Sequence, residues 1–464
     1  MSYPYHSKQY YFDIYPKVVK CGKETEIRIR SLGKTRFETG ETYSVEFTGL
    51  DCGMSGVYPA SADETKGAAY AENETTVRLL HTFEKEQEYS VVLYDTNGRR
   101  VERLSVYCVE GDLAERLPYL GDLHLHSCRS DGGDLPEVVA SNYRAYGYDF
   151  LALTDHMRYY PSLEAMDFCA GIHTGLLCMP GEEIHLPAWN GKRLEQHIVA
   201  IGAEYSINAM IEGPAIEEKG DDPRYRSLHG ECPDVMTAEA FGTLMEDLSK
   251  KENLPDNIDA YPFAQARWTF DQIRKAGGLG IWVHPNWLQS AYHTPEVFSD
   301  ELVKNRLFDA FEVLGGERYY EQNGYQTLRY YDDKAKGYRY PIVGSTDSHS
   351  SYPNNAGGFI CATVIFSKAK ECGALLDAVR DFYSVAVDTI SKEYRLVGEP
   401  RLARYTAFLL REYFPYHDDL CREEGRLMRQ YAVGTEEEKA EAKELLLLIG
   451  NRTEKLMKKY FDFA

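Results

Sequence analysis

Nine side chains suited to divalent transition metals stand along the chain in an order that strongly constrains its fold. The run opens with Asp122-Leu123-His124-Leu125-His126-Ser127 and continues through Ser130-Asp131-Gly132. Thr154-Asp155-His156, Gly181-Glu182-Glu183 and His197 follow, then His284-Pro285, and finally Asp347-Ser348-His349. Six of the 13 histidines fall in this set. Imidazole and carboxylate bind and bridge divalent metals near neutral pH. A fold that uses all of these groups at once must bring its backbone back to the same place again and again. The leading reading is a multinuclear hydrolytic site.

The surrounding pattern offers such a fold. Phe150-Leu151-Ala152-Leu153, Leu279-Gly280-Ile281-Trp282-Val283 and Pro341-Ile342-Val343-Gly344 read as buried strands. Amphipathic helices lie between them. In the stretch 136–146, Val138, Val139, Asn142, Tyr143 and Tyr146 share helical spacing, and Pro136 suits the first turn. Repeated strand–helix alternation over 117–393 predicts an α/β barrel or parallel sheet. His156, His284, Asp347 and His349 follow apolar runs, as does Glu183. They therefore belong at the C-terminal ends of strands, where such folds gather chemistry. His197 instead precedes its apolar run Ile198-Val199-Ala200-Ile201, which points to a strand of another direction.

The flanks read differently. Residues 1–112 alternate polar and apolar with period two, as in Ile27 and Ile29 or Tyr43, Val45 and Phe47. Thr96-Asn97-Gly98 marks a hairpin turn. A small β-sandwich-like domain is expected there, as a packing accessory or a binding module. Residues 204–262 form an acidic, Pro- and Gly-rich insertion, either a lid or substrate loop or a solvated excursion. Residues 394–464 read as a C-terminal helical extension, capping the barrel or meeting a partner subunit.

Composition narrows the function classes. At 464 residues and 43% hydrophobic content the chain builds two or three real domains. A formal charge of −21 works against nucleic-acid binding, which needs cations to displace phosphate counterions. The 10 cysteines show no framework and read as reduced thiols. With neither a secretory pattern at Met1 nor an apolar run of membrane length, the expectation is a cytoplasmic protein without membrane partners. A homo-oligomer is compatible with this picture.

In combination, the HxH…SDG, TDH, GxE, His, HP and DxH motifs resemble those of the PHP (polymerase and histidinol phosphatase) superfamily of metal-dependent hydrolases. The resemblance covers about 117–393. The β-rich front also resembles the carbaryl-hydrolase-related branch. The resemblance implies a distorted seven-stranded (β/α)7, TIM-like barrel with two or three Zn, Mn or Fe ions. His124, His126, Glu183 and Asp347 would hold one ion. Glu183, as a bridge, would share a second with His197 and His284. Asp131, His156 and His349 would hold a third. Glu182 is the local rival of Glu183, and the GxE spacing favours Glu183. Asp122 and Asp155 would stand behind the ligands and orient imidazoles through their other ring nitrogen.

Two cations sharing a carboxylate lower the pKa of a bridging water and polarise a phosphoryl or carbonyl oxygen. Glu183, Asp347 and His349 are thus the core of the expected catalytic set. Arg129 and Arg158 join it as candidate anion donors, ahead of Lys192, Arg193 and Arg318. Glu312 reads as an acceptor near the site or a structural strand end. His173, His185 and His293 read as locally satisfied. The favoured substrate is a small phosphorylated, anionic metabolite. A carboxylic ester, amide or carbamate is the alternative, and a non-catalytic scaffold that retains metal is the second.

Overall fold

Polar–apolar alternation in the first hundred residues requires a sheet with one face dry, and this is what the computed structural model shows. The structure describes residues 11–52, 64–213, 226–229, 232–288, 290–315, 320–352, 361–388 and 395–464. The acidic centre of the insertion, 217–223, and Arg318 lie outside the described residues. The chain divides into two compact units. One joins Met1–Leu117 with Pro400–Cys421 and Asn451–Ala464. The other joins Pro118–Glu399 with Arg422–Gly450.

The first unit is built on β1 (Phe12–Tyr15), β2 (Val18–Lys20), β3 (Glu24–Ser31), β4 (Thr42–Gly49), β5 (Glu64–Asn73), β6 (Thr76–Thr82), β7 (Gln87–Tyr94) and β8 (Arg100–Val109). They form a single sheet in the order β1-β3-β6-β5-β4-β7-β8-β2. Where a sandwich was expected, one sheet nearly closes on itself, because its two edge strands are consecutive in the chain. A sandwich and a closing sheet bury the same alternate residues, so period two alone does not separate them. Ile27, Ile29, Tyr43, Val45 and Phe47 all face the core. The expected turn is present: Gly98 takes φ +77° and its amide donates to the Asp95 carbonyl. Cys21 and Cys108 stand side by side with Cα atoms 5.5 Å apart, a pairing that the expectation of scattered reduced thiols did not foresee. They are 87 residues apart and meet only because β2 pairs with β8, so spacing carries no trace of them.

The second unit is mixed α/β. Its first sheet has the order β11-β10-β9-β17-β18-β19, with β9 (Leu117–Asp122), β10 (Phe150–Leu151), β11 (Leu177–Cys178), β17 (Cys361–Ser367), β18 (Ser384–Asp388) and β19 (Leu396–Val397). The second has the order β12-β13-β14-β15-β16, with β12 (Gly181–Ile184), β13 (Ile198–Ile201), β14 (Leu279–Trp282), β15 (Ala310–Leu314) and β16 (Ile342–Gly344). β9, β10 and β11 run parallel, as do β14, β15 and β16. β13 is antiparallel to both neighbours. Bridges between Leu125 and Ser348 and between His156 and Glu183 link the two sheets. Helices such as Pro136–Ala145, Ala260–Lys275 and Glu296–Asn305 separate the strands, and Pro136 sits in the first turn as expected.

The described part of the insertion is not a solvated excursion. Ile207, Met210, Phe241 and Met245 are buried in the main core of this unit. Thr237 caps the helix Ala238–Ser249 by accepting from the Ala240 amide. Among the described residues no helix is long and apolar enough to cross a membrane.

Candidate metal centre

Backbone pairing, not sequence proximity, assembles the centre. β9 ends at Asp122, and after a bend at Leu123 the bridge of Leu125 to Ser348 is flanked by His124 and His126, which as i and i+2 turn to one side. On one flank the Asp347 amide donates to the His124 carbonyl at 2.8 Å, and the His126 amide to the Ser348 carbonyl at 2.9 Å. On the other the Thr154 amide donates to the Leu125 carbonyl at 2.9 Å. The Met157 amide donates in turn to the Glu183 carbonyl at 2.8 Å. The Ser-Asp-Gly segment folds back through the Gly132 amide, which donates to the Ser127 carbonyl. A Cβ at Gly132 would stand 2.7 Å from the His126 carbonyl oxygen, so glycine is required there. The antiparallel direction of β13 explains His197. It precedes its strand, yet lies at the end of the sheet where the parallel strands finish.

Glu183 is the hub. Its side chain is fully buried, and its two oxygens face different partners. Oε2 lies 2.8 Å from His156 Nδ1, 3.4 Å from His126 Nε2 and 3.5 Å from His124 Nε2. Oε1 lies 2.5 Å from His197 Nδ1 and 3.4 Å from His284 Nε2. Asp347 Oδ1 stands 3.0 Å from His126 Nε2 and 3.3 Å from His124 Nε2. Asp131 Oδ2 lies 3.4 Å from Nε2 of both His156 and His349. All nine expected ligands therefore meet. The inner part is closed, whereas Asp131 and His349 keep 55% and 37% of their side-chain surface exposed. The cluster meets solvent on that side.

Glu182 and Glu183 separate by strand alternation. Glu182 turns away and accepts from Ser206 Oγ, Asn208 Nδ2 and the Ile207 amide, anchoring the start of the insertion. Among the described residues, Asp122 and Asp155 spend their hydrogen bonds on backbone amides and hydroxyls and not on imidazoles. Asp122 accepts from the amides of His124 and Thr346. Asp155 accepts from the amides and hydroxyls of Ser127 and Ser130. Glu312 orients an imidazole instead: its Oε2 lies 2.8 Å from His124 Nδ1, and its Oε1 accepts from the His284 amide. Its place within the apolar strand β15 was the only sequence signal.

The candidate anion donors are less committed to the centre. Arg129 Nε donates to Glu164 at 2.8 Å. Lys192 and Arg193 pair with Asp259 and Glu195 at the surface. Arg158 is half-buried two residues beyond His156. His185 and His293, read from sequence as locally satisfied, lie inside the cluster: His185 Nε2 is 2.9 Å from His156 Nδ1, and the His293 ring centroid is 4.4 Å from that of His197.

Electrostatics follow this geometry. Burial opposes charge on Glu183, but His197 and His124 hold its carboxyl well below the usual range. Burial also opposes charge on His156, yet Asp131 and Glu183 push it up to about 10. His349 rises to about 9 against its burial, through Asp131 and Asp347. Burial, followed by the neighbouring His197, lowers His185 and His293 to about 3.

The donor set fits divalent transition ions. Nitrogens and oxygens of His126, Asp131, His156 and His349 lie within 4.8 Å of one another, as do those of His124, His126 and Asp347, and those of His124, Glu183 and His284. Both oxygens of Glu183 and Nε2 of His124 are buried without a hydrogen-bond partner among the described residues. Buried polar atoms in native proteins are almost always satisfied. A cation held among them would satisfy these. His284 and Asp347 hold positive φ, +27° and +46°, a strained backbone of the kind that collects at functional sites.

No family model matches the chain, and no curated protein matches it. Among solved structures it is similar to a two-domain protein from Bacteroides vulgatus containing a predicted PHP-like metal-dependent phosphoesterase. The identity is 19%, with 63% of this chain and 70% of that chain covered and a TM-score of 0.39. It is also similar to an amidohydrolase from Chromobacterium violaceum, solved with sulfate and no metal. There the identity is 19%, with 52% of this chain and 90% of that chain covered and a TM-score of 0.31. At these scores the functional reading rests on the geometry of the site itself.

Proposed function

We propose that this chain is a metal-dependent hydrolase of the PHP superfamily and that it cleaves phosphate esters of a small metabolite. One observation carries the reading: the two oxygens of a single buried carboxylate, Glu183, face two separate groups of imidazoles. That is the arrangement of a bridging ligand. The ordered motifs and the bridges that join the two sheets support a distorted seven-stranded (β/α)7 barrel as its frame.

His124, His126, Glu183 and Asp347 would hold one ion, Glu183, His197 and His284 a second, and Asp131, His156 and His349 a third. Divalent ions bound there supply an activated water and positive charge for the developing transition state. The protein groups supply the rest. Glu312 fixes the ring of His124 through Nδ1. The buried walls exclude bulk water from the inner part. The exposed Asp131 and His349 mark the side from which substrate arrives.

A second reading, hydrolysis of a carboxylic ester, amide or carbamate, has one observation in its favour. Arg129 is drawn onto Glu164, so its charge is partly spent before any anionic substrate arrives. Metal-loaded protein assayed against p-nitrophenyl phosphate, a naphthyl ester and a naphthyl carbamate separates the two. Phosphate-ester turnover that disappears on chelation is the expected result. Turnover of the carbamate or carboxylic ester, with the phosphate ester inert, would reverse the order.

A further inference from the structure

The loop that follows His284 carries a histidine outside the nine-residue set. Its backbone turns back on itself: the Trp287 amide donates to the His284 carbonyl at 2.9 Å, the His293 amide to the Trp287 carbonyl at 3.0 Å, and the Thr294 amide to the Pro285 carbonyl at 3.0 Å. A bridge between Leu288 and Tyr292 closes the turn. His293 is thereby returned to the neighbourhood of His284.

The rings then meet in a defined way. His293 lies 4.4 Å from His197 at 76° and 5.5 Å from His284 at 42°, centroid to centroid. Trp287 stands edge-on to His293 at 4.6 Å. One nitrogen from each of His197, His284 and His293 lies within 4.8 Å of the other two. Nδ1 of His293 is buried and has no hydrogen-bond partner among the described residues. Such buried polar atoms are almost always satisfied in native proteins. Glu183 Oε1, in contact with His197 and His284, is the nearby anionic donor.

We propose that His293 is a protein ligand of the ion held by His197, His284 and Glu183, which thus receives three imidazoles and one carboxylate. Four protein donors of these types complete a tetrahedral site. The group of His126, Asp131, His156 and His349 is the solvent-facing one, so the two positions differ in kind. One would have its positions filled by protein donors, and the other meets solvent through Asp131 and His349. This inference rests on the metal-centre reading above.

Cobalt(II) tests it on the full chain, since its visible absorption reports coordination directly. Titration of metal-free wild type and His293→Ala should show one binding step weakened by about 100-fold or more in the variant, beyond the effect of losing a group that merely orients a ligand. The tetrahedral absorption should be lost with it, while the remaining steps and the circular dichroism are retained. His293→Cys supplies an independent readout, because a thiolate bound to cobalt adds a charge-transfer band that appears only if position 293 touches the ion. Unchanged binding in His293→Ala, together with no such band in His293→Cys, would overturn the inference and leave the metal centre intact. If wild type takes up no cobalt at all, the metal centre falls and this inference falls with it.

Discussion

Glu312 stands directly behind His124: its Oε2 lies 2.8 Å from Nδ1, and both residues are fully buried. The carboxylate fixes the ring and its tautomer, leaving Nε2 to face Glu183 and Asp347. Partners of this kind typically change metal affinity by about 10–100-fold when removed. Glu312→Gln keeps the shape and loses the charge. We expect affinity at the His124 position to fall within that range, measured by competition with a chromogenic chelator, while thermal unfolding changes little. Wild-type affinity in the variant would reduce Glu312 to a structural role.

Glu183→Gln tests the hub. The substitution removes the negative charge whose two oxygens meet both imidazole groups and puts an amide nitrogen among histidines. Two ions should be weakened together, so metal content should drop by more than one ion per chain, and hydrolysis should be lost. Elemental analysis of the purified variant checks this. A variant that loses a single ion and keeps its rate would show that Glu183 serves one ion only.

The histidines and acids of the centre were legible in sequence because each sits at a strand end in a short motif. Even the odd position of His197 pointed to the reversed strand β13 that the structure contains. His185 and His293 were not legible as site residues, and for Glu312 a place near the site was one of two open readings. Glu312 acts from behind another side chain, and the hairpin that returns His293 depends on backbone bonds that no spacing rule records. The same holds for the sheet of the first unit. Alternation identifies buried faces, whereas closure depends on β1 and β2 lying at opposite edges. The C-terminal helices show the limit most clearly. Helical periodicity was evident, but nothing in it announced that Pro400–Cys421 and Asn451–Ala464 group with one unit and Arg422–Gly450 with the other.

Chelation should destabilise the protein as well as silence it. Ions that bind only the folded state stabilise it by mass action, about 2.7 kcal/mol for each site at a hundredfold excess over Kd. Without them, buried groups such as Glu183 and His124 keep unsatisfied atoms. Differential scanning fluorimetry with EDTA should show a drop in Tm of several degrees, reversed by adding back zinc or manganese. Glu183→Gln should respond much less. An EDTA-insensitive Tm in metal-loaded wild type would count against the centre.

Outside the metal cluster, Arg144 and Glu424 set an acid limit on stability. Arg144 is completely buried. Its Nη2 lies 2.9 Å from Glu424 Oε2, and its Nη1 lies 3.1 Å from Asp149 Oδ1. Glu424 also accepts from Thr174 Oγ1 at 2.7 Å. Burial alone would raise the Glu424 carboxyl, but Arg144 and these donors hold it below its ordinary value. The ionised form is therefore favoured more in the folded state than in the unfolded one. The resulting stabilisation is fully present above the unfolded carboxyl value of about 4.3 and is lost as pH falls through the lower folded value. Glu424→Gln removes one partner of a buried pair and should cost roughly 3 kcal/mol at pH 7. It should also flatten the fall in Tm as pH drops below the unfolded carboxyl value of about 4.3, where the wild-type carboxylate takes up its proton. Parallel Tm–pH curves for the two proteins, offset or not, would show that the acid sensitivity resides elsewhere.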